Sequence, residues 1–150
     1  VARERALAQN PDSVIELFDC ALTDENAGEI LLKFDLVIDG CDNFLTRYTV
    51  NDTCVKLGKP LIYGSILGFQ GQLAVFNHNG SKNLRDLFPE PPDAEDVPNC
   101  SDNGVLGVVP GIIGTLMANE ALKCILGLEL SLNVYHVFDL LNLKHQTLKY

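Results

Sequence analysis

The stretch Asp35-Leu-Val-Ile-Asp39-Gly-Cys41-Asp42-Asn43 passes from an apolar run of strand length straight into polar turn chemistry, and a helical pattern follows it. Few local structures satisfy such a pattern. The apolar run has to be buried as a strand, the polar residues have to turn, and the next segment has to return as a helix. Further along, Gly58-Lys59-Pro60 ends the helical pattern and Leu61-Ile62-Tyr63-Gly64 reads as another buried strand. Upstream, Val14-Ile15-Glu16-Leu17-Phe18 has strand content and length, and Thr23 or Asp24 can cap a short helix ending near Lys33. Strand, helix, strand, helix, strand is the signature of right-handed βαβ units and a parallel sheet. The expected fold class is therefore α/β. In the second helix of this series, Phe44, Tyr48, Asn51 and Val55 share one helical stripe.

The rhythm changes after Gly64, where Gln72 to Phe76 follows as a strand with no helix between, so an antiparallel excursion is expected. From His78 to Asn103, Pro89, Pro91, Pro92 and Pro98 stand among many Asp, Asn and Ser, a composition that disfavours regular structure. Pro110 at N1 and Gly127 at C′ bracket a mostly apolar helix that should be buried. Two short strand-like runs close the chain, near Val134 to Leu140 and Leu143 to Leu148. The chain opens on a helical pattern, Val1 to Asn10, without Met or a capping residue before it, and is expected to continue a longer protein. Residues 1–150 are read as a single domain.

With 150 residues, 47% of them hydrophobic, the chain can bury a real core. Its net charge of -9 argues against a nucleic-acid or acidic-membrane surface, which needs clustered Lys and Arg. No uninterrupted apolar run of membrane-spanning length is evident, and a cytoplasmic protein is the default expectation. The five cysteines form no C-x-x-C pair, which disfavours a disulfide framework.

Ligands of open α/β sheets gather beyond the carboxyl ends of the strands, and Asp42 is the carboxylate so placed. It can hold a phosphate-bound magnesium, or it or Asn43 can simply cap the next helix. Asp39 is the weaker candidate. Arg47, one turn on, can grip phosphate in a bidentate way or be a solvated surface residue. Gly64-Ser-Ile-Leu-Gly68-Phe-Gln-Gly71 and Gly104-Val-Leu-Gly107-Val-Val-Pro-Gly111-Ile-Ile-Gly114 match no nucleotide-loop pattern and are read as close backbone packing. Cys100 is in a polar setting before a helix, where a thiol can become reactive, although Asp96 and Asp102 disfavour the thiolate. His78, His136 and His145 have no metal-ligand spacing.

Together, Asp35 to Asn43, Arg47, Lys59-Pro60, Gly68-Phe-Gln-Gly-Gln72, Leu87-Phe-Pro-Glu-Pro-Pro92 and Val97-Pro-Asn-Cys-Ser-Asp-Asn-Gly-Val-Leu-Gly107 resemble the ThiF/MoeB family, bacterial relatives of ubiquitin-activating enzymes. The resemblance implies a Rossmann-like three-layer domain whose parallel sheet is continued by antiparallel strands. It implies an adenylyltransferase that uses ATP and Mg2+ to adenylate the C-terminal glycine of a ubiquitin-like sulfur-carrier protein, in molybdopterin or thiamine biosynthesis, and that acts as a homodimer. Asp42 matches the aspartate that contacts Mg-ATP, with Asn43 and Arg47 beside it as nucleotide-binding positions. Cys100 matches the crossover-loop cysteine that serves thioester or persulfide chemistry in some members.

The family's glycine-rich loop, ribose-binding acid, phosphate-binding lysine and arginine finger have no counterpart here. On this reading the chain is the C-terminal part of a larger adenylation domain, inactive alone. Asn83 and Asp86 stand where many members have a zinc-binding C-x-x-C, so no zinc is expected. The alternatives are a non-catalytic scaffold of the same fold binding a ubiquitin-like partner, and a nicotinamide-dependent oxidoreductase, for which no dinucleotide fingerprint is evident.

Overall fold

The computed structural model describes residues 1–92 and 104–150. Its sheet has five strands in the order β1 (Val37–Asp39), β2 (Leu61–Leu67), β3 (Gln70–Phe76), β4 (Val134–Asp139) and β5 (Lys144–Lys149). β1 and β2 pair in parallel, Val37 with Leu61 and Asp39 with Tyr63, and every later pairing is antiparallel. The parallel pair is joined through α3 (Phe44–Leu57), the crossover that parallel strands require. The helices α1 (Ala2–Gln9), α2 (Ala27–Leu32), α4 (Leu84–Leu87) and α5 (Val108–Ile125) complete the described elements.

Strand alternation divides the core in two. Leu61, Tyr63, Ala74, Phe76 and Tyr135 face one way and pack with Leu31, Tyr48, Val50, Cys54 and Leu84. Ile62, Leu73 and Val75 face the other way and meet Val109, Ile113, Met117 and Ala121 of α5. A sheet with helices on both faces is the Rossmann-like three-layer arrangement, with the antiparallel continuation that the sequence implies.

Glycine lets the second layer approach. A Cβ on Gly64 would stand 2.1 Å from Met117 Sδ, and one on Gly71 would stand 2.3 Å from Ile113 Cδ1. The close-packing reading therefore applies to these two. It does not apply to Gly107, Gly111 and Gly114, where an added Cβ would meet no other described residue within 4 Å beyond the local backbone, or to Gly68, whose φ of +56° serves the β2–β3 turn.

Several expectations need correction. Val14 to Phe18 is not a strand: it has no ladder partner, and Val14 is 99% exposed. Apolar content makes a strand only where a sheet edge receives it, and among the described residues β1 pairs with β2 alone. Asn26, not Thr23 or Asp24, stands at the N-cap of α2, where its Oδ1 accepts from the Thr23 amide; Asp24 instead accepts from Thr49 Oγ1 at 2.6 Å. The buried face of α3 runs through Arg47, Tyr48, Val50, Asn51 and Cys54, while Phe44 and Val55 are exposed.

The proline-rich stretch after His78 does contain one helical turn, α4. It is closed by a reciprocal capping box in which Asn83 Oδ1 accepts from the Arg85 amide and Asp86 Oδ2 from the Asn83 amide. The two positions at which the zinc pair would stand are thus an N-cap and its partner. α5 begins at Val108, which puts Pro110 at N3, and its end carries the expected Gly127 at φ +65°. There Leu128 donates to the Lys123 carbonyl and Gly127 to that of Cys124, a Schellman ending.

Nor is α5 buried all round. Val109, Ile113, Met117 and Ala121 are covered, whereas Val108, Ile112, Leu122 and Ile125 are exposed along the opposite side. By length and composition alone, with a mean hydropathy of 1.3, this helix would suit a membrane. One face instead packs on the sheet, and the helix carries Glu120 and Lys123 as an ion pair.

Candidate functional site

β1 ends at Asp39, Gly40 to Asn43 make the turn, and α3 begins at Phe44. Asn43 is the N-cap of α3: its Oδ1 accepts from the Thr46 amide at 2.8 Å. Its Nδ2 points back to Asp42 Oδ1 at 3.4 Å. Capping therefore falls to Asn43, and Asp42 is left exposed beyond the strand's carboxyl end, at the positive end of a 14-residue helix. Asn43 orients this carboxylate through its Nδ2 and gives its carbonyl oxygen to the helix.

Arg47 departs further from expectation. It is 4% exposed, donates from Nη1 to the Gly64 carbonyl at 3.0 Å and from Nη2 to the Cys41 carbonyl at 2.6 Å, and stacks over Tyr63 with 4.5 Å to the ring centroid. Both ends of its fork are used inside the fold, which makes it a buried brace and not the solvated surface residue that was one of the two alternatives. Asp39 is buried as well. Its Oδ1 accepts from the Cys41 amide at 2.9 Å, and its Oδ2 has no hydrogen-bond partner among the described residues and lies 3.8 Å from Arg47 Nη1. Burial pushes the Cys41 thiol up to about 12, with help from the Asp39 charge, so it stays protonated at neutral pH.

Asp39 and Tyr63 are the residues that sequence reasoning undervalued. The available signal was the spacing Asp39-x-x-Asp42-Asn43-x-x-x-Arg47, which puts Arg47 one turn into α3 and facing back to the strand end.

Beside the turn, a cleft of about 350 Å³ opens along the free edge of β1, lined by Phe18, Leu22, Ile30, Ile38, Gly40 and Cys41 among others. Asp42 has the donor chemistry of a magnesium site, because that ion is held by one or two carboxylates and keeps much of its water. Among the described residues no group of three or more His, Cys, Asp or Glu could enclose a metal, so a single carboxylate sharing the ion with phosphate oxygens is the arrangement this turn can offer. Cys100 lies outside the described residues. His136 and His145 pair with each other, Nδ1 to Nε2 at 3.0 Å, on the α5 side of the sheet and away from the turn.

Comparison with known proteins places this geometry. A sulfur carrier protein adenylyltransferase of Thermus thermophilus is 51% identical over 133 residues, which cover 85% of this chain and 49% of that protein. The adenylyltransferase and sulfurtransferase MOCS3 of Xenopus laevis is 47% identical over 133 residues, 88% of this chain and 30% of that one. The chain thus spans half or less of the length of these relatives. Among solved structures, E. coli MccB with MccA-N7isoASN matches 98% of this chain and 46% of its own with a TM-score of 0.81 at 14% identity, a likeness of fold. The model of the ThiF family matches residues 1–150, and the chain, with its exposed aspartate at a braced strand end, belongs to that family.

Proposed function

We propose that the protein carrying this chain is an ATP-dependent adenylyltransferase acting on the C-terminal glycine of a ubiquitin-like sulfur carrier. The observation that carries this reading is the Asp42 carboxylate, exposed beyond β1 on a turn braced from both sides, in a chain 51% identical to a sulfur carrier protein adenylyltransferase. MccB has been crystallised with ATP, which supports a nucleotide for this fold. In this reading Asp42 holds Mg2+ with the nucleotide phosphates, Asn43 orients Asp42, and Arg47 braces the turn. The ion, when bound, supplies charge neutralisation at the phosphates. The chain's own contribution is positioning: the turn and the start of α3 hold a carboxylate and a helix N-terminus in fixed relation. Cys100 belongs to the same proposal as the thiol for thioester or persulfide chemistry.

A homodimer and a cytoplasmic setting complete the proposal. The dimer is supported by the apolar stripe that α5 leaves exposed among the described residues, with Val108, Ile112, Leu122 and Ile125 flanking the small Gly111, Thr115 and Ala118. The cytoplasmic setting is supported by Cys20, Cys41, Cys54 and Cys124, all free thiols. Contexts in molybdopterin or thiamine biosynthesis follow the relatives' names and the resemblance.

The test is carrier-dependent ATP–pyrophosphate exchange by the complete protein. Asp42→Ala should lower exchange by at least ~10²-fold, the scale of losing a preorganised electrostatic group at the reacting phosphates. Undiminished exchange would refute the assignment. The isolated 150-residue chain should support no exchange, and robust activity from it would show that the machinery is complete within these residues.

A further inference from the structure

Both backbone groups of Cys41 are held. Asp39 Oδ1 takes its amide at 2.9 Å and Arg47 Nη2 its carbonyl at 2.6 Å, so the peptide that leads into Asp42 is gripped from opposite sides. The grip is itself anchored: Arg47 also reaches the Gly64 carbonyl in β2, lies over Tyr63, and balances the charge of buried Asp39. A buried guanidinium is costly to place and is kept where its planar fork meets two acceptors at once. Here the two acceptors are a strand carbonyl, which is rigid, and a turn carbonyl, which would otherwise be free to move. Without the fork, the described residues would hold the turn through the Asp39 contact, the Asn43 cap and two weaker contacts within the turn itself, Cys41 Sγ to the Asn43 carbonyl and Asn43 Nδ2 to Asp42 Oδ1.

We propose that Arg47 is a positioning residue for Asp42: acting through the Cys41 carbonyl, it sets the direction in which the exposed carboxylate meets a nucleotide-bound cation. The catalytic consequence rests on the adenylation reading, whereas the clamp itself does not. Arg47 touches no substrate in this scheme. Lysine is a poor replacement, because a compact ammonium keeps the charge beside Asp39 but has no planar fork for two carbonyls.

Two measurements separate the clamp from its consequence. Residue-resolved hydrogen exchange on the unmodified protein should show the Cys41 amide protected at least ~100-fold relative to an unstructured peptide, and exchange at the free rate would overturn the clamp. In Arg47→Lys that protection should drop about tenfold or more, with the β2 amides unchanged. Equal loosening of β2 and the turn would instead reduce Arg47 to a general stabiliser.

In the complete protein, Arg47→Lys should weaken binding of Mg-ATP about tenfold, as expected for one misaligned charged contact, and leave ATP binding in EDTA unaltered. Equal weakening of both, or of neither, would overturn the positioning role. Should the complete protein bind no ATP under either condition, the adenylation reading falls, while the exchange data still decide the clamp.

Discussion

Asn51 shows how much a single polar side chain can organise. It is 1% exposed, its Oδ1 accepts the Leu84 amide at 3.0 Å, and its Nδ2 reaches Asp52 and Asn83. It therefore ties α3 to the start of α4. Asn51→Ala should cost about 1–3 kcal/mol, the penalty of leaving a buried amide unsatisfied, read as a lower urea midpoint. Asp52, its neighbour, receives Arg85 Nε and Nη2 at 2.8 and 2.9 Å. Those hydrogen bonds, above all, hold its carboxyl below the usual range. A depressed folded pKa means that the pair's stabilisation is present above the unfolded value of about 3.9 and is lost as pH falls through the folded one. Both side chains are about one-third exposed, so solvent screening limits the pair to ~1 kcal/mol. Asp52→Asn should be less stable by no more than that at pH 7, with the difference closing only below about pH 4 in denaturant titrations.

At the scale of elements, the seat of α5 depends on two glycines in adjacent strands, Gly64 and Gly71. Gly71→Ala should destabilise by about 1–3 kcal/mol, because the new methyl would collide with the branch of Ile113 and not merely with a flexible tip. Combined with Ile113→Ala the loss should be smaller than the sum of the two single losses, a coupling that thermal melts of the four proteins would reveal. The β4–β5 hairpin has its own sensitivity. His136 is held below its ordinary pKa, mainly by burial and then by His145. Its stabilisation is therefore present above about pH 6.5 and is lost as pH falls below. His136→Gln should flatten the stability profile below about pH 6.5, read from denaturant titrations over pH. The glycine helix ends were legible in sequence, Gly58 ending α3 at φ +64° and Gly127 ending α5 at φ +65°, where only local backbone geometry is at stake, whereas the N-cap of α2 was not. The burial of whole helix faces was not. A stripe on α3 can be drawn through Phe44, Tyr48, Asn51 and Val55 or through Arg47, Tyr48, Val50, Asn51 and Cys54, and only the neighbouring elements select the second.

At the scale of the molecule, the largest unmet demand is the outer side of α5. The aliphatic residues Ile112, Leu122 and Ile125 are exposed on the outer half of a helix whose inner side is seated on the sheet. If the proposed homodimer uses this outer half, Leu122→Arg in the complete protein should convert dimer to monomer in analytical ultracentrifugation while the melting profile of the core is kept. A dimer that survives the substitution would place the interface elsewhere. The edge of β1 that has no partner among the described residues, and the cleft beside it, are the second such demand, since an unpaired edge and an apolar cleft favour being covered.

The sequence alone determined the local grammar of this protein: where glycine and proline stop a helix, which polar residues turn the chain, and which carboxylate stands at a strand end. These depend on residues a few positions apart, whose energies are set by backbone sterics and short-range hydrogen bonds. Only the tertiary structure decided that Arg47 turns inward, that Asp39 is buried beside it, and that Val14 to Phe18 is not a strand. Each of those outcomes depends on a partner distant in the chain: Gly64 for Arg47, and a receiving sheet edge for Val14 to Phe18. A buried charge or an extended segment is stable only when that distant partner is in place.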